Sequence, residues 1–147
     1  MESKLGLAER RAIKEFQDSN YPSIEAGIKK ATHFDVEIEV KWEEIAKQGQ
    51  APVYNDDQYW GTTIFKPLTN ALNGITIDDM GKDALKSGLN RIVIMHDPET
   101  APASNYPNGL TFEEGVLTIN FTPYSNADEY AMAERTNAIK QLLESKI

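Results

Sequence analysis

The sequence contains no cysteine, so disulfide staples, thiolate nucleophiles and cysteine-held zinc are all excluded. Histidine occurs only at His33 and His96, which confines imidazole chemistry to two positions. No apolar run approaches the ~20 residues of a membrane-spanning helix. Lysine and arginine are absent from Ile92 to Glu134, a stretch holding seven carboxylates, Asp97, Glu99, Glu113 and Glu114 among them. The phosphate-binding G-x-x-x-x-G-K loop, the G-x-G-x-x-G fingerprint, the H-E-x-x-H pair, the G-x-S-x-G elbow and the EF-hand loop are missing too. Their absence removes the enzyme classes that carry such motifs, and the balance leans away from catalysis.

What is present is ordinary for a folded chain. Of 147 residues, 40% are hydrophobic and 26% charged, enough to build one α+β domain over 1–147 with a real core. The net charge of −8 is unevenly placed. Residues 1–33 hold six Lys or Arg against five Asp or Glu, so the rest of the chain carries −9. Such a field repels phosphate and anionic lipid, which argues against nucleic-acid and membrane-surface binding. It favours a basic protein partner. The start, "MESKLGLAERRAIKEF", is charged throughout and lacks a signal-peptide core, so the expected compartment is the cytoplasm.

Hydrophobic spacing then sets the elements. Leu5, Ala8, Ala12 and Phe16 recur at helical intervals, and Pro22 opens a second helix facing inward through Ile24, Ile28 and Ala31. "HFDVEIEVKW" alternates strictly and predicts a strand with one wet face; "EEIAKQGQ" adds a helical turn. Pro67 starts a short helix over Leu68, Ala71 and Leu72. Thr76 and Asp79 resemble a capping box for the next helix, with Ile77, Met80 and Ala84 on its inner side. "RIVIM" is continuously apolar after its arginine, as expected of a central strand covered on both faces. "GLTFEEGVLTINFTPY" is a hairpin turning at Glu113-Glu114-Gly115. Ser125 and Asp128 form a second capping pair before a final helix with Ala131, Arg135, Ala138, Ile139, Leu142 and Leu143 along its inner stripe. The expected order is α-α-β-α-α-β-β-β-α, with a small, mostly antiparallel sheet of about four strands.

Three places invite function. His96-Asp97 ends the "RIVIM" strand, where ionisable groups often meet a ligand. Were that strand an antiparallel neighbour of the alternating one, His33, Asp35, His96 and Asp97 would share a rim suited to a divalent metal or to acid–base work. Side-chain parity opposes this, because it sets the two histidines on opposite faces; the plain alternative is that His96-Asp97 only closes a strand. The second place is "VYNDDQYWGTTIF". Tyr54, Tyr59 and Trp60 interleave with Asp56 and Asp57, which suits a cation or a basic side chain, or else an aromatic anchor over the core. The third is the proline-rich loop 97–109, a lid or a restrained surface excursion, in which Ser104 has no identifiable base.

The leading expectation is a non-catalytic acidic binding domain, inhibitor- or immunity-like in size and charge. It would use Tyr54, Asp56, Asp57, Tyr59, Trp60, Glu113 and Glu114, with no cofactor. The alternatives are a small-molecule-binding protein or enzyme with a pocket near His96 and Asp97, and a homo-oligomeric assembly subunit.

Overall fold

A computed structural model of the protein describes residues 6–45, 64–97, 99–100, 109–120 and 129–147. Two helices come first, α1 (Leu7–Ser19) and α2 (Tyr21–Thr32), followed by strand β1 (Glu37–Val40) and the single turn α3 (Trp42–Ile45). Helices α4 (Lys66–Ile75) and α5 (Asp79–Gly88) lead to β2 (Arg91–Met95). The hairpin strands β3 (Leu110–Glu113) and β4 (Val116–Asn120) and the long α6 (Glu129–Lys146) complete the described elements. The fold is α+β, and the element order is the expected one with α3 as the extra turn. None of the described helices is long and apolar enough to cross a membrane.

The sheet order is β1-β2-β4-β3. Here the pairing departs from expectation. β1 runs parallel to β2 and β2 parallel to β4; only the β3–β4 hairpin is antiparallel. The sheet is therefore mixed. Parallel pairing follows from the connections: α3, α4 and α5 carry the chain from the end of β1 back to the start of β2, as a parallel pair requires.

One face of the sheet is the core face. Ile92, Ile94, Leu117 and Ile119 lie at its centre, and Leu110 and Phe112 extend it along β3. Leu68, Ala71 and Leu72 of α4, Ile139 and Leu143 of α6, and Ile28 and Ala31 of α2 join them in a continuous cluster. α4 is central, packing on both α6 and α2. Each fully buried Leu or Ile stabilises the fold by about 1.5–3 kcal/mol. Among the described residues Glu9, Thr32, Thr76 and Arg135 are the buried polar or charged ones. The Thr76 hydroxyl donates to the Ala31 carbonyl at 2.8 Å, or to Leu72 at 3.0 Å, tying the end of α4 to the end of α2.

Two local readings are corrected. Asp78, not Thr76, caps α5, its carboxylate accepting from the Gly81 N–H at 2.8 Å. Ile77 and Met80 are not on the inner side; each is 82% exposed, and Leu85 is the residue α5 buries. With the cap at Asp78, Ile77 falls before the helix and Met80 in its exposed first turn. The hairpin turn is as expected. Glu114 (φ 52°) and Gly115 (φ 80°) form a two-residue loop with positive φ at both positions, the type I′ pattern that matches strand twist.

Candidate functional site

Because β1, β2 and β4 are parallel, their carboxyl ends lie along one edge of the sheet. In sheets of this kind ligands gather at that edge. His96 and Asp97 leave β2 there. The Asp97 N–H donates to Asn120 Oδ1 at 2.8 Å, and Asp97 Oδ1 accepts from the Glu99 N–H at 3.0 Å. The Thr100 N–H returns to the Asp97 carbonyl at 3.1 Å, and Asn120 Nδ2 donates to Thr100 Oγ1 at 2.9 Å. The carboxylate of Asp97 therefore organises a turn, a local role that aspartate commonly takes after a strand. His96 is half-buried and its backbone N–H reaches Glu44 Oε1 at 3.3 Å.

The four-residue rim does not assemble. Parallel pairing puts His33, before β1, and His96, after β2, at opposite ends of the sheet. His33 adopts φ 66° and ends α2, its N–H donating to the Lys29 carbonyl at 3.0 Å. Asp35 pairs with Lys29 at 2.6 Å, and that hydrogen bond raises the Lys29 ammonium above its ordinary value. Among the described residues no group of three or more His, Cys, Asp or Glu is placed to hold a metal ion. Tyr54, Asp56, Asp57, Tyr59 and Trp60 lie outside the described residues, as do Ser104 and Ser125. Glu113 and Glu114 are exposed at the hairpin turn.

The second face of the sheet differs from what "RIVIM" led us to expect. Val93 and Met95 of β2 are half-buried, like Val116 and Thr118 of β4. Around them Glu37, Glu39 and Glu113 are exposed. In register, Glu37, Arg91, Val116 and Glu113 form one row across the sheet; Glu39, Val93, Thr118 and Thr111 form the next. Arg91 reaches both Glu37 and Glu39, the latter at 3.3 Å. The face thus has an apolar middle and an acidic border, three carboxylates against one guanidinium.

A groove of about 520 Å³ opens at the same edge as His96 but beside β1. Arg10, Ile13 and Lys14 of α1 form one wall; Lys41, Trp42 and Glu44, following β1, form the other. Trp42 is held by aromatic neighbours, with ring centroids 5.0 Å from Tyr21 and 5.6 Å from Phe16, both edge-on. Reading the sequence did not single out this group. The signal available was Lys41-Trp42 at the end of an alternating strand, and it becomes informative only when the strand is known to be parallel to its neighbour.

Protein-family models, curated proteins and solved structures were compared with this chain, and none matches.

Proposed function

We propose that this chain acts by binding a basic protein partner across the second face of its sheet, in the cytoplasm and without catalysing a reaction. One observation carries the reading: two parallel strand pairs whose second face is only half-buried. All-parallel sheets occur almost only where both sides are covered, and three of the four strands here run parallel to one another. A face built from Val93, Met95 and Val116 therefore suits a surface that another protein completes. The border of Glu37, Glu39 and Glu113 selects a partner of opposite charge and speeds its encounter. Apolar centre and charged rim are the usual anatomy of a protein interface.

The test begins with capture of a partner from extracts of the protein's own cells, its purification, and titration against three forms of the chain. A Glu37→Gln, Glu39→Gln, Glu113→Gln triple variant is expected to weaken binding about tenfold at low salt and to flatten the salt dependence. Val93→Thr, which keeps the shape and adds a hydroxyl, is expected to weaken it at every salt concentration. A partner that is not basic, or one indifferent to both variants, refutes the reading. So does concentration-dependent self-association abolished by Val93→Thr, which assigns the face to a second copy of the chain.

A further inference from the structure

The groove between α1 and the end of β1 is chemically unlike the rest of the molecule. The chain carries −8, yet among the described residues lining this notch Arg10, Lys14 and Lys41 face one carboxylate, Glu44. Lys14 has an exposed partner in Asp18 at 3.2 Å, a contact of little energetic weight. Arg10 makes one long bond, Nε to the Gly6 carbonyl at 3.4 Å, and among the described residues neither Arg10 nor Lys41 has an acidic partner within ion-pair distance. Three cations against one lining carboxylate leave a local excess of positive charge, so an anion seated among them is favoured.

The groove also supplies a flat apolar surface. Trp42 is half-buried, its ring packed edge-on against Phe16 and Tyr21 and tilted against Phe65, and it lines the groove beside the buried Ile13. A ring already immobilised loses little entropy when a ligand stacks on it. The volume falls within the range of small-molecule sites, and the position, at the carboxyl end of parallel strands, is where such sites recur. We infer that this groove binds a small planar ligand bearing an anionic group, the ring against Trp42 and the anion between Arg10 and Lys41. The site is separate from the sheet face proposed for the protein partner, and the two proposals stand or fall independently.

Naphthalene-2-carboxylate serves as the probe, with neutral naphthalene-2-carboxamide as its control, each titrated into the full chain labelled with nitrogen-15. The reporter is the indole N–H resonance of Trp42, assigned with a Trp42→Phe variant. Saturable movement of that resonance by the carboxylate, with Kd below about 1 mM and at least about tenfold tighter than the amide, is the expected result. Lys41→Met and Arg10→Met should each weaken the carboxylate about tenfold and leave the amide unchanged. Unperturbed backbone spectra of the two variants check that they fold; each removes an exposed or half-buried charge, and either alone suffices for the comparison. Equal binding of acid and amide, no movement of Trp42 at 10 mM probe (about ten times the Kd ceiling), or unchanged affinity in a folded variant overturns the inference.

Discussion

Thr76→Val separates a hydrogen bond from the packing around it. Thr76 is 5% exposed and Ala31 is 2% exposed, so neither the hydroxyl nor the carbonyl it serves has ready access to water. Valine fills the same volume with a methyl in place of the hydroxyl. The Ala31 carbonyl is then left at the end of α2 without its 2.8 Å donor, and stranding a buried acceptor costs about 1–3 kcal/mol. A chain of this length loses about 2–4 °C in Tm per kcal/mol, so the expected fall is roughly 2–12 °C. Thr76→Ser is the necessary companion. It keeps the hydroxyl and gives up one methyl, a loss of about 1 kcal/mol. Thermal and urea unfolding, followed by circular dichroism, should place serine between wild type and valine. Valine equal to or above serine would mean that the α2–α4 junction rests on packing alone, and would refute the reasoning.

Three further outcomes follow from other sites. Tyr21→Phe should leave the fold unchanged or stabilise it by about 1 kcal/mol in urea unfolding, because the phenol oxygen is buried with no hydrogen-bond partner among the described residues. Burial first, and the nearby Glu25 second, raise the Tyr21 phenol well above its ordinary value; the neutral phenol therefore favours the fold below pH 10, and its contribution is lost as pH rises through the raised value. Wild type should accordingly lose stability above about pH 10 more steeply than Tyr21→Phe, and parallel pH profiles would count against this. Gly115→Ala should cost about 2 kcal/mol in the same assay, since φ is 80° there and a Cβ would strike the Asn90 side-chain amide. His33→Gly should stabilise by about 0.5–1 kcal/mol, because a left-handed helix terminus favours glycine; a destabilised variant would point to a role for the imidazole beyond ending α2.

Local pattern carried most of the elements. Ala12 and Phe16 in α1, Ile28 and Ala31 in α2, and Leu68, Ala71 and Leu72 in α4 are buried as their spacing predicts, and the hairpin turn lies where glycine permits it. Direction of pairing was not legible. Whether β1 runs with or against β2 depends on how the chain between them packs, and no feature of either strand encodes it. The His33/His96 rim, already opposed by side-chain parity, failed because parallel pairing sets the two residues at opposite ends of the sheet. The apolar run of β2 misled in another way: Val93 and Met95 look like interior residues, but only contacts made by the rest of the fold decide whether the second face is covered. The groove was illegible because Lys41 is remote in sequence from Arg10 and Lys14, and they line one notch only when α1 is laid beside the end of β1.

The β1–β2 pairing also governs how the chain is made. Glu37 aligns with Arg91, so β1 leaves the ribosome long before β2, its neighbour in the sheet, exists. At about 5–20 residues per second, β1 waits roughly 3–10 s with both edges unpaired. The hairpin β3–β4 closes on itself within microseconds of emerging, but it cannot shelter β1, which reaches it only through β2. Glu37 and Glu39, alternating with Ile38 and Val40, place like charges along that waiting strand, and in-register pairing of two nascent copies would set those charges against each other. Glu37 and Glu39 of the finished face would thus also oppose such pairing during synthesis.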